Sequence, residues 1–354
     1  MKPKNAMGAP QEVITKVLYK TGALKMSTNS TEHFNLTEVD RLEVLSLVDN
    51  SIDFLSVIGK EEAQSFRQWT AKKYGQEWNK VHSQFPIAEH GFSMLVRVTS
   101  NGKQTSFLFD TGVSPDGVVE NAKRMGLELG EVACIILSHG HYDHFGGLVS
   151  ALKTINNPNL PLIVHEDMFR TRGTTSRDGT IRTYPEFPKR EQLSLAKVIS
   201  TEQPRLIADG KILVTGEIPR ETSFEKGFPE HRILTNGVWQ PDSYILDDRA
   251  IVANIKGKGL IVLSGCAHAG IINTIKYAQK ITGITDVFAI MGGFHLAGKE
   301  NENKIEQTIT ELKRINSKLI VPCHCTGSKA IFAIANALPD KFVYNSVGNL
   351  YSIY

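Results

Sequence analysis

One stretch constrains this chain more than any other: Ser138-His139-Gly140-His141-Tyr142-Asp143-His144-Phe145-Gly146-Gly147. It sets three His and one Asp within six residues, in the pattern H-x-H-x-D-H. Just before it, Val132 to Leu137 (VACIIL) is an unbroken apolar run, as expected of a strand covered on both faces. Just after it, Gly-Gly punctuates the chain ahead of a helical pattern from Gly147 to Ile155. A buried strand that ends in such a loop puts a polar site at the edge of a sheet, where α/β proteins commonly carry one. His139 and His141 are two residues apart, so an extended turn presents both rings to one side. Asp143 and His144 can serve a second position beside the first. Imidazoles with one carboxylate suit Zn²⁺, and Fe²⁺ or Mn²⁺ are compatible. A ligand-free, solvent-exposed His cluster would not account for the apolar strand and the Gly-Gly on its flanks.

The remaining elements alternate. Arg41 to Asp49 reads as the first buried strand, residues 53–80 as an amphipathic helix, Met94 to Val98 and Gln104 to Asp110 as strands, and Val118 to Leu127 as a helix. Asp110 ends its strand ahead of Thr111-Gly112. A carboxylate there can hold a His tautomer, or simply cap the turn. Strands follow at Leu160 to Val164 and Ile212 to Thr215, and a lone His165 at a strand end reads as structural. Arg249 to Ile255 and Leu260 to Leu263 read as a hairpin that delivers Ser264-Gly265-Cys266-Ala267-His268 to a helix from Ile271. Asp286 to Met291 leads to Gly-Gly-Phe294-His295, and Lys318 to Val321 leads to Cys323-His324-Cys325. Helices over Lys304 to Ile315 and Ser328 to Ala337, and strands at Phe342–Tyr344 and Asn349–Ile353, complete the pattern. This order, with no internal repeat, suits an α/β fold of two sheets with outer helices.

Composition narrows the function classes. The chain has 354 residues, 41% hydrophobic and 22% charged, enough to bury a core. A net charge of +3 argues against nucleic acid as a partner. No apolar run reaches the length of a membrane span, and no continuous apolar h-region follows the early lysines. Four cysteines in such a long chain do not make a disulfide framework, so the expected setting is the reducing cytoplasm. Residues 1–38 read as a partly flexible extension and 39–354 as the functional domain. Within that domain, 166–205 is a basic, lid-like insertion whose Arg170, Arg172, Arg177, Arg182, Lys189 and Arg190 suit an anionic small-molecule substrate.

H-x-H-x-D-H after a buried strand, with Phe109-Asp110-Thr111-Gly112 upstream, resembles the metallo-β-lactamase superfamily. The resemblance runs from about Arg41 to Tyr354. It implies an αββα sandwich of two mixed sheets and a centre of one or two cations. By that resemblance Asp110 supports a ligand His, Cys266 stands where many members have a bridging Asp, and His324 takes the last ligand position. Relatives often carry a further ligand His near 216. None is there, so His268 is the expected replacement. The ligand set is then His139, His141 and His268 for one metal and Asp143, His144 and His324 for another, with His295 the alternative to His268 and with Asp143, Cys266 and His295 as candidate catalytic groups. Glu89 and His90 are lesser candidates. The combined motifs of Ser264–Thr274, Gly292–Leu296 and Cys323–Gly327 resemble the dihydropteroate-synthase-like branch. The leading expectation is a metal-dependent hydrolase that turns a metal-bound hydroxide on a small ester or phosphate. The alternatives are a synthase or transferase joining a dihydropterin to an aminobenzene-ribofuranosyl phosphate, and a metal- or ligand-binding protein without turnover.

Overall fold

The structure, a computed structural model, describes residues 33–78 and 84–354. The bulk of the expected extension, residues 1–32, lies outside them. Its last residues, 33–38, are already part of the fold: Leu36 is buried, and Glu38–Val39 pairs in parallel with Asn254 and Ile255.

Two sheets face each other. The first runs Lys197–Ser200, Pro161–Val164, Val132–Ile136, Lys103–Phe109, Ser93–Ser100, Arg41–Val48, Leu350–Ile353, Ala63–Gln64. The second runs Arg205–Ile207, Ile212–Val214, Ala250–Ile255, Gly259–Ser264, Val287–Gly293, Leu319–Cys323, with Glu38–Val39 beside Ala250–Ile255. Period-two alternation divides the side chains of each strand between two apolar layers. Val44, Val96, Phe107 and Ile136 of the first sheet meet Ile251, Ile261, Met291 and Val321 of the second in the central layer. On the outer face of the first sheet, Leu45, Leu95, Leu108 and Ile135 pack against helices Gly117–Arg124 and Leu148–Ile155. On the outer face of the second, Val252, Val262, Ile290 and Ile320 pack against helices Ile271–Thr282, Ile305–Ile315 and Ser328–Ala337. The result is an αββα sandwich. A smaller four-stranded sheet of Val238–Pro241, His231–Thr235, Arg172–Thr175 and Ile181–Thr183 adds to it.

Three expectations are corrected. Within the predicted 53–80 helix, of which 79–80 lie outside the described residues, 53–65 are not helical; the helix runs over Phe66–Tyr74 and is followed by a short turn of 3₁₀ helix. Asp53 Oδ1 accepts the backbone N–H groups of Leu55 and Ser56, which turns the chain, and the helix starts later at a Ser65–Gln68 capping box. Phe342 makes an isolated bridge to Ile320, not a strand over 342–344. Within the basic 166–205 segment, Arg172 is buried and bound to Asp247, and Arg190 lies over the Phe169 ring with its guanidinium on Glu166. Arg172 therefore does not face an incoming anion.

Candidate metal centre

Every expected donor group leaves the C-terminal end of a strand at one edge of the sandwich. Asp110 follows Lys103–Phe109, and the histidine loop follows Val132–Ile136. Cys266 and His268 follow Gly259–Ser264, His295 follows Val287–Gly293, and His324 follows Leu319–Cys323. Tight backbone makes the approach feasible. A Cβ at Gly265 would stand 2.1 Å from Ser138 Oγ, and one at Gly146 would stand 1.9 Å from Val113 O. Only glycine lets these loops close on each other.

Two clusters result. In the first, His139 Nε2 lies 3.0 Å from His141 Nδ1, and His268 Nε2 lies 3.1 Å from each of them. Burial, then the neighbouring imidazoles, pulls the pKa of His139 and of His268 well below the usual histidine value. Burial does the same to His141, followed by the charge of His231. Three neutral imidazoles thus turn nitrogen toward one point. Donors about 2.0–2.1 Å from a tetrahedral zinc stand ~3.3 Å apart, close to the spacing of these three. The second cluster joins Asp143, His144 and His324. His324 Nε2 is 3.3 Å from Asp143 Oδ2 and 3.2 Å from His144 Nε2. The clusters adjoin: the His139 and His144 rings are 4.2 Å apart, and Cys266 Sγ lies 3.1 Å from His144 Nε2. In each cluster the donor atoms lie within 4.8 Å of one another. Nitrogen and oxygen donors so arranged fit borderline first-row cations.

A second ring of polar groups fixes this one. Asp110, fully buried, accepts the Ser138 backbone N–H through Oδ1 at 2.6 Å, and its Oδ2 lies 2.7 Å from His144 Nδ1. Asp49 Oδ1 accepts the backbone N–H of His324 at 2.9 Å, which holds that residue in its left-handed conformation at φ 49°. Burial opposes charge on His324, but the bond to Asp143 together with the negative charges of Cys325, Asp143 and Asp49 lifts the pKa to about 9. Asp247 and Asp248 brace the two loops from between them. Asp247 Oδ2 accepts the Gly140 N–H at 2.7 Å, and Asp248 Oδ2 accepts the Ala269 N–H at 2.9 Å. Arg172 grips Asp247 with two bonds of 2.6 and 2.7 Å. Despite burial, that guanidinium keeps the Asp247 carboxyl well below the usual range, whereas burial pushes Asp248 up to about 6.

All six expected ligand residues and Asp110 converge at this edge. Cys266 borders the second cluster. His295 lies behind the first, its ring 4.1 Å from that of His268. His90 is mostly exposed, 3.4 Å from Asp143 Oδ2. Glu89 turns away, and its Oε1 accepts the N–H groups of Val113 and Ser114. His165 is structural, taking the Asp167 N–H at Nδ1. Sequence reasoning did not find His231. It is fully buried, with Nε2 2.9 Å from His141 Nε2 and Nδ1 3.1 Å from Asp242 Oδ2. Its only sequence signal is a His opening an alternating run, His231–Thr235, in the stretch 221–248 that carries no motif.

The family profile for the metallo-β-lactamase superfamily matches residues 87–218. A protein of Methanocaldococcus jannaschii named 7,8-dihydropterin-6-methyl-4-(β-D-ribofuranosyl)-aminobenzene-5'-phosphate synthase is 37% identical over 69% of this chain and 83% of its own length. The chain belongs to the metallo-β-lactamase superfamily. An uncharacterized protein of the same organism is 32% identical over 78% of this chain and 97% of its own. The crystal structure of a metal-dependent hydrolase of the β-lactamase superfamily superposes with a TM-score of 0.65 at 23% identity, over 88% of this chain and 98% of that one. That likeness shows the shared metallo-β-lactamase fold. Membership of the superfamily implies a divalent metal, and the two donor clusters are chemically suited to one. Among the described residues no helix is long and apolar enough to cross a membrane.

Proposed function

We propose that this superfamily member is a metal-dependent hydrolase of a small, anionic ester or phosphate, acting at a two-cation centre in the cytoplasm. The observation that carries the reading is the pair of adjoining three-donor clusters at one sheet edge. His139, His141 and His268 would hold one cation, and Asp143, His144 and His324 the other, zinc being the best match to the donors. The metals, when bound, would supply an activated water near neutral pH and electrostatic stabilisation of developing negative charge. The chain's own groups do the positioning. Asp110 takes the proton-bearing Nδ1 of His144, which leaves Nε2 free to coordinate. His231, backed by Asp242, engages Nε2 of His141 and leaves Nδ1 facing the cluster. His324 must give up its proton before it can coordinate, so metal uptake releases a proton near neutral pH. The four free thiols fit a reducing compartment.

The reading is tested by assaying ester, lactone and phosphodiester panels before and after chelation. Turnover that disappears with the metal and returns with Zn²⁺ or Mn²⁺ supports it. Full activity in metal-free protein refutes it.

A second reading is favoured by the relative at 37% identity, whose name is that of a synthase. Here the same centre would bind a pyrophosphate leaving group while a dihydropterin is joined to an aminobenzene-ribofuranosyl phosphate. Incubating the dihydropterin pyrophosphate with that nucleophile separates the readings. A condensed product supports the synthase, and phosphate release without condensation supports the hydrolase.

A further inference from the structure

Three more donors stand beside the histidine clusters. Cys266, His295 and Cys325 come from the ends of three neighbouring parallel strands, Gly259–Ser264, Val287–Gly293 and Leu319–Cys323. Their donor atoms lie within 4.8 Å of one another. His295 Nδ1 is buried and has no hydrogen-bond partner, an arrangement proteins generally avoid. Cys325 Sγ reaches the Cys266 carbonyl at 3.4 Å and also lies within hydrogen-bonding reach of the Cys266 thiol and of His295, and a thiol is a weak donor. The backbone is shaped around the three. His295 sits at φ 46° and Gly292 at φ 114°, and the former is uncommon for a non-glycine residue. A Cβ on Gly293 would stand 2.6 Å from Cys325 Sγ, so the strand is bare where the sulfur approaches.

We propose that Cys266, His295 and Cys325 form a third, soft-donor cation site beside the two histidine clusters. Two sulfurs and one imidazole select a thiophilic cation such as Zn²⁺ or Cu⁺ over Mg²⁺ or Mn²⁺. Each thiol releases its proton to solvent as its sulfur coordinates, and three protein donors leave one position for an outside ligand. Cys266 is the link to the rest of the centre, because its sulfur also lies 3.1 Å from His144 Nε2. Cys134 and Cys323 take no part. Cys134 sits mid-strand, and Cys323 belongs to the central apolar layer.

The test is a cobalt titration of the full chain kept reduced with a phosphine, read by bound metal and by sulfur-to-cobalt charge-transfer absorption. Wild type should take up about one equivalent more than Cys325→Ser, in which the charge-transfer band should be lost together with that equivalent. His295→Gln should lose the same equivalent while keeping both thiols, which separates loss of the site from loss of a sulfur. His139→Ala should keep the band, so failure of the histidine-centre reading is distinguishable from failure of this one. Equal cobalt and an unchanged band in wild type, Cys325→Ser and His295→Gln overturn the proposal. Should the variants not fold, the wild type suffices: Cd²⁺ should slow alkylation of half-buried Cys325 by about tenfold or more. No slowing overturns the proposal.

Discussion

At His141 both ring nitrogens are committed, Nδ1 toward the first cluster and Nε2 to His231. Removing the outer partner frees the ring to turn. His231→Ala is therefore expected to weaken metal binding by about 10–100-fold, measured by competition with a chromophoric chelator. An unchanged affinity would mean that His231 is packing alone. Asp247 offers a different kind of test, because its ionised form is paired with a buried Arg172. Arg172→Ala would leave that carboxylate unpaired, at a cost of about 3–5 kcal/mol in denaturant unfolding. The pH dependence has a definite sign. A carboxylate with a depressed folded pKa adds stability above its unfolded value of about 4, and that stability is lost as pH falls through the folded value. The melting-temperature gap between metal-free wild type and Asp247→Asn should accordingly narrow as pH drops below about 4. A constant gap would show that the Arg172–Asp247 pair does not depend on charge.

The loops act as elements only because certain backbone positions are bare. Gly146 has no room for a Cβ, with Val113 O 1.9 Å from its place. Gly146→Ala should force the His139–His144 loop away from the Gly112–Val113 turn and lower metal content even in protein that still folds. Retained full metal content would show that the loop relaxes at little cost. This loop was legible in sequence because its donors lie within six residues and follow a strand whose apolar run is unambiguous. The braces were not. His231 meets His141 across 90 residues and Asp247 meets Gly140 across 107, and neither carries a local pattern. The 53–80 helix misled for a local reason. Its first residues have no buried face to hold a helix, because Leu55 is 74% exposed and Asp53 turns the backbone there.

Across the described residues, both sheets contribute to the candidate centre. The first brings Asp110, His139, His141, Asp143 and His144, and the second brings Cys266, His268, His295 and His324. A cation held by both sheets joins them, so binding free energy becomes folding free energy. Chelation should lower the melting temperature, and metal at 1,000 times its Kd should restore about 4 kcal/mol. A melting temperature indifferent to metal would place the cations outside the interface of the two sheets. The sandwich itself was readable from alternating apolar runs, and so were the ends of its strands. The basic insertion was misread in one respect, because charge in sequence does not reveal burial. Arg172 braces the histidine loop where sequence suggested an anion receptor. The central claim is that two clusters of this chain's side chains each hold a cation. It is tested most directly by metal content per chain in wild type, His139→Ala and His324→Ala, each reconstituted and desalted identically. The account predicts that each substitution removes about one equivalent. Equal metal in all three proteins, or none in the reconstituted wild type, would contradict it.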